Sequence, residues 1–208
     1  MEKTLSSRIF NFIRKRTIVT DIVQGIIIGC VLAYITANLL INHEIKGMQT
    51  TINGWNTTLK CGEPGNGILL RAACAKNLPA ANLPEEAAYW ITTVDGAGNT
   101  LNGQHNYTLH FGAGELPPNN AFWSLTMTDS NRLMVANVIN RYSVGDRSGL
   151  ALNTDGSVDI YVQNTAPTGH ESNWLPAPTG DFMLWLRAYQ PGPTILNGQY
   201  QVPPIKEQ

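Results

Sequence analysis

Six side chains in the second half of the chain carry the chemistry of a binding or catalytic site: Arg141, Tyr142, Asp146, Arg147, Asn173 and Trp174. A guanidinium presents paired N–H donors that match a carboxylate or a sugar acid. Trp and Tyr add flat apolar faces with a polar tip, suited to a carbohydrate or an interface. In an enzyme, Tyr142 or His110 would move a proton while an arginine neutralises developing negative charge. The same residues also fit a structural role. Asp146 would pair with Arg141 or Arg147 to hold a long loop, and Trp174 would plug the core beside Pro176.

Other reactive types are sparse. The histidines His43, His105, His110 and His170 are scattered, and no pair has helical metal-ligand spacing. On one strand His105 and His110 would face opposite sides and could not share an ion. Ser143 lacks a nucleophile-elbow context. Asp95-Gly96-Ala97-Gly98-Asn99 lacks the further ligands of a calcium loop and reads as a turn. No metal or cofactor motif is read. Cys61 and Cys74 are either bridged, as an oxidising compartment permits, or two buried thiols. Cys30 sits in an apolar run and reads as a small packing residue.

These residues need elements to place them. The run Ile22–Ile41 has no charged side chain, and as a helix it covers about 30 Å, the hydrocarbon thickness of a bilayer. A spanning segment must satisfy its own backbone, which selects a helix. Lys3, Arg8, Arg14, Lys15 and Arg16 precede it against Glu2 and Asp21, and only His43, Glu44 and Lys46 follow closely. The positive-inside rule keeps the N-terminus cytoplasmic and exports the rest. The expected organisation is a cytoplasmic tail over 1–17, a transmembrane helix over 18–41, a linker over 42–51 and an exported domain over 52–208. This places the chain in the inner (cytoplasmic) membrane with its domain in the periplasm. Residues 42–208 hold 13 Asp+Glu against 9 Lys+Arg. That balance argues against a nucleic-acid or anionic-membrane partner, since no basic patch is available for phosphates.

Within the domain, Gly67–Leu78 has apolar residues at near-helical spacing and is closed by Pro79 and Pro84. The period then changes to two. Stretches 88–94, 105–111, 121–128, 158–163 and 181–189 alternate apolar and polar residues, as half-buried strands do. In the last, Phe182, Leu184 and Leu186 oppose Trp185, Arg187 and Tyr189. Asp95-Gly96, Asn102-Gly103 and Asp155-Gly156 mark turns. The fold expected is mainly β: an antiparallel, jelly-roll-like sandwich with one short helix, behind a single membrane helix. Residues 129–149 break the rhythm, yet their apolar content predicts packing onto the sandwich.

A family resemblance rests on ordered motifs. They are the segment Phe122-Trp123-Ser124-Leu125-Thr126-Met127-Thr128-Asp129, then Asn140 to Arg147, Asp155-Gly156-Ser157, and Asn173-Trp174-Leu175-Pro176-Ala177-Pro178. Asn53-Gly54-Trp55, Leu101-Asn102-Gly103 and Leu116-Pro117-Pro118 also fit. Together they resemble the bacterial domain of unknown function 1214 over most of 50–205. The resemblance implies a β-sandwich and a partner carrying a companion domain of unknown function 1254, fused or separate. It implies no activity and says nothing of the two cysteines. The expectation is a membrane-anchored envelope module for binding or assembly, acting with that companion or as a homo-oligomer. The alternative is an envelope hydrolase or lyase on a polar carbohydrate-like substrate.

Overall fold

In a computed structural model of the protein, residues 2–79 and 81–208 are described, with side chains at 7, 8, 17–79 and 81–208. The side chains of Glu2, Lys3, Arg14, Lys15 and Arg16, counted in the charge bias, lie outside the described residues. The chain opens on helix α1 (Glu2–Met48), then β1 (Thr50–Ile52), β2 (Trp55–Thr57) and helix α2 (Ile68–Asn77). It continues through β3 (Ala87–Thr92), β4 (Tyr107–Phe111), β5 (Asn119–Asp129), β6 (Ser143–Gly145) and β7 (Val158–Gln163). It ends with β8 (Trp174–Pro176), β9 (Phe182–Pro191), a single turn α3 (Pro193–Leu196) and β10 (Ile205–Glu207).

Two sheets form a sandwich, one ordered β1-β2-β3-β9-β5-β6 and the other β10-β4-β7-β8. The mainly β architecture expected from the period-two stretches is therefore present. One pairing departs from the antiparallel expectation: β8 lies parallel to β7, with Tyr161 opposite Trp174. A loop with a 3-10 turn at Glu171–Asn173 brings the chain back in the same direction. The inner faces meet in one core, with Leu125, Met127, Leu184 and Leu186 from the larger sheet and Leu109, Phe111, Ile160 and Val162 from the smaller. Asn53 and Gly54 both have positive φ, 54° and 84°, the two-residue turn that joins β1 to β2. At Gly103 a Cβ would collide with the Pro178 carbonyl, so that close approach requires glycine.

The outer face of the larger sheet is also covered. Ile91 and Trp185 pack there with Ala73, Cys74 and Leu78 of the α2 region and with Met48, while Ile41 and Ile45 join at the edge. Ile41, Ile45 and Met48 share one helical face. That packing corrects the expected linker over 42–51: α1 runs on to Met48 because this face has a partner. Thr17–Met48 is long and apolar enough to cross a membrane. Cys61 and Cys74 are bridged, with Cα atoms 5.6 Å apart, and the bridge ties the second half of α2 to the chain leaving β2.

The loop after β5 differs from expectation. Only β6 adds to the sheet, pairing with Ser124–Thr126. Leu133, Met134, Val138 and Ile139 are exposed rather than packed on the sandwich. Asp129 Oδ1 accepts the N–H groups of Asn131 and Leu133, each at 2.9 Å, and turns this segment outward.

Candidate functional site

The six residues singled out in the sequence engage neighbouring backbone groups, and none of them lines the cavities described below. Arg141 donates through Nη1 to the carbonyls of Glu171, Ser172 and Trp174, at 2.7, 3.4 and 2.9 Å. Its guanidinium is a clamp between the long loop and β8. Asp146 accepts the Trp123 N–H at 3.2 Å. Arg147 donates to the Ala121 carbonyl and lies 4.4 Å over the Phe122 ring. Asn173 is buried and bonds both backbone groups of Ala151 and the carbonyl of Asp159. Trp174 is buried and donates to the Gln163 carbonyl. Tyr142 is half-buried, and its carbonyl accepts the Met127 N–H. The arginines thus bond backbone carbonyls and not Asp146, which corrects the expected internal ion pair.

His110 is exposed on β4 and pairs with Asp159 across the strand at 2.6 Å. His105 pairs with Glu207 at 2.7 Å. The Asp95 carboxylate is consumed in its turn, accepting from Ala97 N, Asn99 N and Asn99 Nδ2. Among the described residues no group of three or more His, Cys, Asp or Glu side chains could hold a metal ion.

A different set does converge. On β9, Trp185, Arg187 and Tyr189 alternate onto the outer face. Register brings Tyr89 of β3 opposite Arg187, and Thr126 of β5 opposite Trp185. The end of α2 supplies Leu78, followed by Pro79, and the loop after β5 supplies Arg132 and Met134. They line a cleft of about 340 Å³. Arg132 and Arg187 both approach the Trp185 ring, at 5.6 and 5.5 Å. Arg187 donates to Thr126 Oγ1 at 2.8 Å, and the Trp185 indole N–H donates to Thr128 Oγ1 at 3.1 Å. Arg132 has a φ of 67°, a left-handed conformation that a non-glycine residue rarely adopts. Its guanidinium donates to the carbonyls of Lys76 and Asn77.

The electrostatics of this cleft are one-sided. No carboxylate lines it, and neither arginine has an acidic partner among the described residues. Burial pushes the Arg187 pKa down, because it disfavours the charged form; Tyr189 and Tyr89 oppose that shift. Two guanidiniums beside an aromatic face, in a cleft that no carboxylate lines, have the chemistry to accept an anion. The sequence held one signal for it, the outward Trp185-x-Arg187-x-Tyr189 of a strand. Nothing in the sequence placed Arg132 beside it.

A second cavity of about 250 Å³ is lined by Met48, Trp55, Trp90 and Tyr200. Its polar tips are already satisfied: Trp55 donates to the Pro203 carbonyl and Tyr200 to that of Glu115. Its wall is mostly apolar, and Lys60 is the one charged side chain that lines it.

The family model described as Protein of unknown function (DUF1214) matches residues 86–193. The chain belongs to this family. The DUF1214 segment contains Tyr89, Arg132, Trp185, Arg187 and Tyr189 of the cleft, while α1, α2 and the disulfide precede it. The solved structure of the VPA0106 protein from Vibrio parahaemolyticus is similar, with a TM-score of 0.59 and 32% identity. The match covers 69% of this chain and 36% of that one, so the chain spans about a third of that protein's length. An uncharacterized protein from Burkholderia cenocepacia matches with a TM-score of 0.41 and 12% identity, over 84% of this chain and 49% of that one. No curated protein matches the sequence.

Proposed function

We propose that this DUF1214 protein is a single-pass, membrane-anchored binding module of the bacterial cell envelope, with the Arg132–Trp185–Arg187 cleft as its site. The reading of α1 as an anchor draws on its exposed apolar side chains from Ile18 to Leu40 and on the basic residues ahead of them. It puts the N-terminus in the cytoplasm and the domain in the periplasm. The Cys61–Cys74 bridge fits that side, because disulfides persist in oxidising compartments.

The observation that carries the binding role is the pair of arginines without a carboxylate partner. Arg132 is exposed, but Arg187 is half-buried, and a half-buried cation left unpaired lowers stability unless something else uses it. The ligand this geometry fits is a small anion with an apolar portion. The anion would face the guanidiniums, and the apolar portion would lie against Leu78, Pro79 and Met134.

Phenyl phosphate tests this by calorimetric titration of the full chain in nonionic detergent. Saturable binding to the wild type that weakens at least roughly tenfold in Arg187→Gln is expected from loss of a charge-assisted hydrogen bond. Equal binding by the two proteins would reject the cleft as the site. The module would act with a protein carrying the companion domain of unknown function 1254. The larger part of the Vibrio relative lies outside the match, which leaves room for such a fused domain. Co-purification of that companion with the full chain from solubilised membranes is expected, and recovery of bare monomer would argue against it.

A further inference from the structure

The cleft lies where α1 ends its apolar run. Lys76 Nζ donates to Asn38 Oδ1 and Asn42 Oδ1, at 3.1 and 2.9 Å, so the last turn of α2 sits beside that end. Asn38 is only about 5 Å along the helix axis from Ile41, at 1.5 Å per residue. Arg132 in turn donates to the Lys76 and Asn77 carbonyls, at 3.3 and 2.9 Å. The cleft is therefore tied to the level at which the anchor meets the membrane surface.

The chain that follows Arg132 carries the domain's concentration of exposed apolar side chains. Leu133, Met134, Val138 and Ile139 are 65, 64, 89 and 44% exposed. Elsewhere in the domain, exposed Ile68, Leu83, Leu152 and Leu196 are scattered along the chain, as surface hydrophobes commonly are. A contiguous apolar group of this kind marks contact with another protein or with lipid. Its tether to the end of the anchor selects lipid. Met134 belongs both to this group and to the cleft wall.

We propose that the cleft is a headgroup site for an anionic phospholipid of the adjoining leaflet. The phosphodiester oxygens accept N–H donors from Arg132 and Arg187, and the acyl chains pass Met134 onto Leu133, Val138 and Ile139. Guanidinium forks match phosphate oxygens bidentately. The acidic domain gains no diffuse attraction to an anionic surface, so affinity comes from these two side chains. That is how an exported part with 13 acidic and 9 basic residues still binds an anion locally. The proposal rests on the readings above of α1 as an anchor and of the cleft as an anion site.

The test uses the full chain with Cys30→Ser, so that an introduced thiol is the only free one. Spin labels at Val138→Cys, Leu32→Cys and Leu152→Cys are read in phosphatidylcholine–phosphatidylglycerol vesicles by accessibility to oxygen and to a water-soluble nickel chelate. The Leu32 and Val138 labels should report lipid and the Leu152 label water. A Val138 label in water beside a Leu32 label in lipid overturns the proposal and leaves the anchor standing. A Leu32 label in water removes the anchor reading and the proposal with it.

Native mass spectrometry supplies the second arm. Offered equal amounts of the two lipids, the wild type should retain phosphatidylglycerol roughly tenfold over phosphatidylcholine, the factor one charge-assisted hydrogen bond gives. Arg187→Gln and the more exposed Arg132→Gln should each lose that preference, while Arg187→Lys keeps part of it. The Arg132→Gln variant decides the matter if Arg187→Gln does not fold. Arginine-dependent binding of glycerol 1-phosphate without lipid preference would make this a site for soluble phosphate and overturn the lipid assignment. No arginine-dependent binding of either compound would remove the anion site itself.

Discussion

Arg141 and Arg187 are the same residue type put to opposite uses. Arg141 spends its donors on three backbone carbonyls and fastens a loop. Arg187 spends one on a threonine hydroxyl and leaves its charge unanswered. Arg141→Ala should therefore destabilise the domain by about 1–3 kcal/mol, the cost of leaving such groups unpaired. Arg187→Leu should change stability by less than about 1 kcal/mol or raise it, since an apolar replacement removes an uncompensated cation. Chemical denaturation of the two variants checks both signs. The sequence makes these arginines look alike. Arg141 sits in a motif dense with polar groups, and that density reflects a loop that must satisfy its own backbone. Arg187 sits in a strand whose alternation was readable, and only the outward Trp-Arg-Tyr pattern hinted at a use.

Titration at single residues gives a further expectation. Burial alone would raise the Asp95 pKa, but the N–H donors of Asn99, Ala97 and Gly98 together hold it below the ordinary value. Asp155 and Glu171 are lowered by hydrogen bonds, chiefly from Ser157 and from the backbone of Glu171 and Gly169. A depressed folded pKa means the unfolded chain takes up the proton first. The stabilisation is complete above an ordinary carboxylate pKa, about 4, and is lost as pH falls through the lower folded value. Denaturation midpoints should be flat above about pH 5 and fall below about pH 4. Asp95→Asn should flatten part of that acid limb.

At the scale of elements, α2 does more than its short length indicates. It covers Trp185 and Ile91, reaches Asn38 and Asn42 through Lys76, and presents carbonyls to Arg132. A helix of 10 residues is marginal by itself. The disulfide and its packing against α1 hold it in place. A bridge over a sequence separation of 13 contributes about 3 kcal/mol in the chain-entropy account. Cys61→Ala with Cys74→Ala should cost about 2–4 kcal/mol. Hydrogen exchange should localise the loosening to α2 and the cleft, and leave β4 and β7 protected.

Strands and α2 were readable because alternation and helical spacing are local signals. The extension of α1 to Met48 is not, because Ile45 and Met48, beyond the apolar run that ends at Ile41, read as part of a polar linker until α2 gives them something to cover. The parallel β8 was equally hidden, since a strand of three residues has no period to read. The exposed loop of Leu133 to Ile139 departs from its sequence for a related reason. Its apolar content implied burial, whereas the side chains face outward.

At the scale of the molecule, these parts form a domain packed against the end of a long apolar helix. The cleft, the loop from Arg132 and α1 adjoin because α2 and its end touch all three. Family membership fixes the sandwich that carries the cleft and leaves its ligand to be found by chemistry. The central claim is that Arg187 remains unpaired because an anion uses it. Thermal unfolding of the wild type and Arg187→Leu, each with and without phosphatidylglycerol in mixed micelles, tests this most directly. Without the anionic lipid the variant should melt at the same temperature as the wild type or higher. With it the wild type alone should rise, by mass-action stabilisation of the folded state, and the order should reverse. Parallel responses in the two proteins would contradict the claim.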